Sequence, residues 1–407
     1  MYDPPRLTAS PRIHYLNSDF DLSLRPRPQQ LDQPRLARQI RELTVQALLG
    51  VDSGDSALVR VEVPAAFLAH LSESGITVPR LLRHPQVDPA AFLRPFGWNA
   101  ETIELNRLHA RPVKHPSLEA IRRVNSRSFA LELETGLAPE GPLGRLVESP
   151  AELDSVLSRA PAASGWVIKA EHGNAGLANR RLEASRITPA DRRFVDQLFC
   201  EDDRLVVEPW LTREHDWSVV FGVPFDPAAL RIHETVCTGD GALIGALFDP
   251  RDLACAPWSE QLAGMAEQVA ARLHDEDYFG PVCVDAFSWH DGERSKLRTL
   301  VDLNCRLSMS DGAYRLWQRV APQQMLYYRF FNRRKLTLPA DLADALAAFG
   351  QHRYDSSARK GILLASPLQL GSGREARRPG KLAVIFIADT RPGIFELEQW
   401  FRKRFEA

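Results

Sequence analysis

Residues 298–308 read RTLVDLNCRLS, and this alternation limits what the chain can fold into. Val301, Leu303, Cys305 and Leu307 make one apolar face, while Leu300, Asp302, Asn304 and Arg306 make the other. A period of two belongs to a β-strand. The second face carries a carboxylate, a carboxamide and a guanidinium in a row. A strand with fully apolar alternate positions is expected at the centre of a sheet, where unpaired charges are costly. Just upstream, GPVCVDAFSW (280–289) reads as a second strand, joined to the first by a polar turn at Asp291 and Gly292. An antiparallel hairpin sets Asp285, with Cys283 and Phe287 on its face, beside Asp302 and Asn304. Three oxygen donors, two of them charged, suit a hard divalent cation, Mg²⁺ or alternatively Mn²⁺. Arg306 could clamp a phosphate oxygen. The other reading of Asp302 and Arg306 is a solvated ion pair worth about 0–1 kcal/mol.

The remaining sequence supplies a framework. With 407 residues the chain is long enough for two or three domains. Residues 1–115 mix strands (RIHYLN, ALVRVEV) with helices (QPRLARQIRELTVQALLG, closed by Gly50), as an N-terminal α/β domain. The polar stretch RLHARPVKHPS marks a boundary, and residues 116–340 form the next domain. Within it, GWVIKAEHGNAGLANRRLEA reads as a hairpin, RLVVEPWL as a buried strand that Pro209 ends, and SEQLAGMAEQVAARLHD as a helix. Residues 341–407 read as a small C-terminal α/β extension. The fold class is α/β in the broad sense, α+β included.

Composition excludes several functions. A net charge of −1 gives no electrostatic case for nucleic acid or an anionic membrane. No apolar run approaches the roughly 18 residues of a membrane span, and the polar N-terminal segment does not read as a signal peptide. Five scattered cysteines without a CxxC pair fit a reducing, cytoplasmic setting. Dinucleotide, Ser-His-Asp and HExxH signatures do not occur, and the basic loop GSGREARRPGK lacks the phosphate-loop pattern.

Two further residues bear chemistry. Lys169 sits mid-strand before EHGNAGLA, where an ammonium and backbone N–H groups can surround a polyphosphate, or where a solvated edge lysine can lie. Glu208 closes the VVEPWL strand and could face a nucleobase amine or simply cap the strand.

In order along the chain, these features resemble the ATP-grasp superfamily over roughly residues 116–320. The resemblance implies an ATP-grasp fold with a preceding α/β domain. It implies that Arg127 (in NSRSF) and Lys169 bind the α/β phosphates, and that Gly173, Asn174, Ala175 and Gly176 close over the γ-phosphate. It places adenine at Glu208 and the backbone of Trp210 and Leu211. It places ribose at Asp216, with Glu214 as competitor. Asp285, Asp302 and Asn304 fall on the metal positions, and Arg306 on a phosphate-contacting arginine. Arg306 and Lys169 are the expected catalytic groups. Asp302 stands where the family usually has Glu, and Arg127 where it has Lys. The implied activity is ATP-dependent ligation of a carboxylate to an amine. A kinase on the same scaffold and a non-catalytic ATP-binding protein are the alternatives. Small-molecule acids and amines, and a second copy of the chain in a homodimer, are the expected partners. Arg231 and His233, in RIHETV, lie where a carboxylate substrate could meet them, or on an exposed strand face.

Overall fold

The computed structural model describes residues 11–27, 33–86, 88–109, 112–137, 142–159, 164–173, 179–182, 187–239, 241–251, 256–371 and 376–407. Asn174, Ala175, Gly176 and Cys255 lie outside them. Four strands, β1 (Arg12–Tyr15), β2 (Ser56–Val59), β3 (Arg80–Arg83) and β4 (Phe92–Pro95), form a parallel sheet in the order β3-β2-β1-β4. Parallel strands need crossovers, and helices Pro34–Leu43 and Ala65–Glu73 lie in them. The first helix gives way to a 3₁₀ turn at Thr44–Leu48 before Gly50. Gly50 has φ +66, and a Cβ there would overlap the Gly312 carbonyl, so glycine is required twice over.

A second, antiparallel sheet contains β5 (Arg145–Val147), β6 (Trp166–Ala170), β7 (Asn179–Leu182) and β8 (Leu205–Pro209), in the order β5-β8-β6-β7. The expected hairpin is the β6–β7 pair, and Pro209 does end β8. The third sheet has eight strands. These are β9 (Arg213–Val223), β10 (Arg231–Cys237), β11 (Leu243–Phe248), β12 (Gly280–His290), β13 (Ser295–Asn304), β14 (Met325–Asn332), β15 (Gly361–Leu364) and β16 (Lys381–Ala388). Their order is β13-β12-β9-β10-β11-β14-β16-β15. The strands of the C-terminal region therefore continue the large sheet, with β16 paired to β14 over its whole length. Helix Ser259–Asp275 lays Leu262, Met265, Ala266, Val269 and Leu273 against Val219, Val282 and Val284.

Three expectations for RTLVDLNCRLS need correction. The strand lies at the edge of the sheet, not its centre. Its apolar flank arises because helix Arg127–Leu137 and helix Ser259–Asp275 both cover it, with Leu303 and Cys305 in their shared core. Leu300 joins that same core rather than the face of Asp302. The register explains this: Phe287 pairs with Arg298 and Asp285 with Asp302, so β13 bulges by two residues between them. The strand also stops at Asn304, and Arg306 sits in the turn beyond it.

Candidate nucleotide and metal site

The β12–β13 hairpin sets Asp285 directly opposite Asp302, and Cys283 opposite Asn304. Over this face lie β6, which brings Lys169, and the start of helix Arg127–Leu137, which brings Arg127. Lys169 Nζ lies 3.5 Å from Asp302 Oδ1, and Arg127 Nε lies 3.1 Å from the same oxygen. Arg127 also donates to the Ala170 carbonyl, which ties the helix to the end of β6. Asn304 faces two ways. Its Nδ2 donates to Asp285 Oδ2 at 3.3 Å, and its Oδ1 accepts from Arg306 at 2.9 Å. Arg306 is buried and further held by Asp21, at 3.0 and 3.1 Å from its two oxygens. A small cleft of about 20 Å³ is lined by Asp21, Arg127, Gly173, Asp302 and Asn304. That is room for an ion or a water.

The two opposed aspartates differ. Burial, followed by the neighbouring charge of Asp302, pushes the Asp285 carboxyl up to about 6. Burial also acts on Asp302, but Lys169 and Arg127 outweigh it and hold that carboxyl well below its ordinary range. No cluster of three or more His, Cys, Asp or Glu placed to hold a metal occurs among the described residues. The donors here are instead two carboxylates and a carboxamide. Like charges face each other across adjacent strands, and a hard cation bound between them would relieve that repulsion. The residues therefore fit a divalent ion with oxygen ligands.

Glu208, expected at the adenine end, sits between cations. Lys169 Nζ approaches it to 3.0 Å, and Arg298 donates to both its oxygens at 2.9 and 3.0 Å. Arg298 also grips both oxygens of Glu134, at 2.7 and 2.9 Å. Sequence reasoning missed Arg298 and Glu134. The signal was available: Arg298 opens the same stretch, and counting by twos places it on the Asp302 face. The Trp210 N–H is taken by the Gly165 carbonyl, and its ring stacks under Arg181 at 4.5 Å. Leu211 lies in the short link between β8 and β9. Asp216 accepts from Arg213 at 2.8 Å, and burial raises its carboxyl despite that partner. The structure thus brings Arg127, Lys169, Gly173, Asp285, Asp302, Asn304 and Arg306 together, with Glu208 at one side.

No family model matches this sequence, and no curated protein does either. Solved structures do match, over nearly the whole chain. N5-carboxyaminoimidazole synthetase of Staphylococcus aureus, complexed with ADP, has TM-score 0.53 and 10% identity and covers 98% of both chains. Phosphoribosylamine–glycine ligase of Thermotoga maritima has TM-score 0.53 and 11% identity, covering 97% of each. The biotin carboxylase domain of the Hydrogenobacter thermophilus 2-oxoglutarate carboxylase, with MgADP and bicarbonate, has TM-score 0.53 and 11% identity. That match covers 86% of this chain and 90% of that one. The fold is that of the ATP-grasp enzymes. The antiparallel sheet β5–β8 meets the large sheet through Lys169 and Glu208, which pair with Asp302 and Arg298. No helix among the described residues is long and apolar enough to cross a membrane.

Proposed function

We propose that this chain is an ATP-dependent ligase that activates a carboxylate as an acyl phosphate for attack by an amine, releasing ADP and phosphate. The observation that supports it best is the convergence of Lys169 and Arg127 on Asp302, which faces Asp285 across the hairpin, with Arg306 on the neighbouring Asn304. The ADP and MgADP complexes among structures of the same fold support ATP and Mg²⁺ as its ligands. Asp285, Asp302 and Asn304 would hold the metal, which when bound neutralises phosphate charge. Lys169 and Arg127 would bind the α and β phosphates, and Arg306 the transferring group, held in place by Asp21. Gly173, Asn174, Ala175 and Gly176 would cover the phosphates. Glu208, with the backbone of Trp210 and Leu211, would border the adenine, and Asp216 the ribose. In the first step a carboxylate oxygen takes the γ-phosphoryl group and the bond to ADP breaks. In the second, the amine nitrogen bonds to the acyl carbon, phosphate leaves with the C–O electron pair, and the amine loses a proton. Positioning and electrostatics carry such chemistry. A domain limit at 115, residues 341–407 as an extension of the large sheet, a cytoplasmic setting and a homodimer complete the reading.

Hydroxylamine tests it. With Mg²⁺, ATP and a pool of carboxylic acids, a hydroxamate should form together with ADP and phosphate. A stable phosphorylated product without hydroxamate would establish a kinase. AMP and pyrophosphate would contradict acyl-phosphate chemistry altogether.

A further inference from the structure

Across the large sheet, the register aligns two rows of side chains on the face of Asp302. One row runs Asp302, Asp285, Ser218 and His233 over β13, β12, β9 and β10. The next runs Asn304, Cys283, Val220 and Arg231. Neighbouring strands lie about 4.8 Å apart, so His233 stands roughly 10 Å from Asp285. There the sheet opens, because the register of β10 with β11 begins only at Glu234 and Leu247. A cavity of about 560 Å³ occupies the opening, a size suited to a small molecule.

Its walls differ in chemistry. Phe248 and Trp317 stack with centroids 5.5 Å apart, and Tyr314 meets Phe248 edge-on at 5.6 Å, giving an apolar aromatic wall. Arg231 lies 4.3 Å over the Tyr314 ring and donates to Asp311 at 2.6 Å. Asp311 is shared, since Arg315 reaches it at 3.1 Å and Arg94 at 3.5 Å. Among the described residues it is the one carboxylate paired with Arg231 and Arg315. Positive charge is therefore in excess at this end of the cavity, where an incoming anion would balance it, while Asp249 and Glu260 also line the cavity. Beside Arg231, His233 is buried, and burial with the nearby Arg231 pushes its ring down to about 3. It is therefore neutral and held by Ser310 Oγ at 2.8 Å, while its Nδ1 has no hydrogen-bond partner among the described residues. The second arginine of the cavity, Arg391, is committed to Glu234 through two bonds of 2.6 Å.

We propose that this cavity binds the carboxylic acid that the ligase activates. That acid has an aromatic or apolar body, which lies on Phe248, Tyr314 and Trp317. Its carboxylate pairs with Arg231 and faces along the row toward Asp285. The Arg231 guanidinium repels an ammonium at this end of the cavity. The commitment of Arg391 to Glu234 disfavours a polyanion. This assignment rests on the ligase reading, but its binding step can be read without turnover.

Calorimetry on the full chain, without nucleotide, uses 3-phenylpropionate as probe, with 3-phenylpropionamide and acetate as controls. The acid should bind saturably, and the amide and acetate at least ten-fold more weakly. Arg231→Met should weaken the acid at least ten-fold, and Arg231→Lys should restore part of the loss. Ala263→Phe, which adds bulk to the cavity from helix Ser259–Asp275, should abolish binding. Absence of binding by the unaltered chain, equal binding of acid and amide, or unchanged affinity in Ala263→Phe would overturn the assignment. ATP titrated separately tests the other reading: failure of the unaltered chain to bind ATP overturns the ligase and leaves the acid titration to stand by itself.

Discussion

Glu208 is held between Lys169 and Arg298, and this governs how the site responds to acid. Burial alone would raise its carboxyl, but Arg298 and Lys169 outweigh burial and lower it from 4.5 to about 2. A folded value below the unfolded one gives stabilisation that is complete above the unfolded value and lost as pH falls toward the folded one. Glu208→Gln should cost about 3 kcal/mol at neutral pH, since each unit of the fall from 4.5 to about 2 is worth about 1.4 kcal/mol, while Lys169 keeps Asp302 and Arg298 keeps Glu134. Thermal melts of variant and parent should converge between about pH 4.5 and 2, and a constant gap would refute the account. Lys169→Ala should weaken ATP more than adenosine in calorimetry, since its partners on the nucleotide are phosphates. Equal losses would make Lys169 structural. Asp302→Ala and Asn304→Ala should abolish ADP formation while circular dichroism stays unchanged. The expected loss is several kcal/mol of transition-state stabilisation, the scale of a removed electrostatic clamp. Near-normal turnover would remove the metal assignment.

At the scale of elements, the β12–β13 hairpin was legible because the alternation and the Asp-Gly turn are local signals. The bulge was not, because it depends on which residue of one strand faces which residue of the other. Leu300 shows the consequence: counting by twos assigns it to the polar face, and the bulge sends it into the core at 2% exposure. Leu300→Ala should therefore cost about 2–5 kcal/mol in chemical denaturation. A change under about 1 kcal/mol would mean the side chain lies on the polar face, where truncation is mild. The edge position of β13 was equally hidden, since cover from helices looks the same in sequence as cover from neighbouring strands. Lys169 was identifiable as a charge amid apolar neighbours, and Arg127 only through the resemblance to the ATP-grasp pattern. Their common partner, Asp302, lies more than 130 residues from each, and no local pattern reports a pairing at that distance.

The whole molecule is organised by the large sheet, and residues 341–407 belong to it structurally. Leu363, Ile385 and Ile387 share a core with Val45, Phe67 and Leu71 from the first hundred residues. Removing residues 341–407 should leave no cooperative unfolding transition by calorimetry. A truncated chain that melts as sharply as the parent would show the region to be dispensable. β14 is flanked by β11 on one side and β16 on the other. During synthesis, then, the strand at 325–332 emerges with one neighbour already made and the other still to come. Its apolar run MLYYRFF must wait for residues 381–388, and until then it offers an unpaired border to any strand nearby. On the ribosome, a holding chaperone would find its footing at that border, which closes when β16 zips into place.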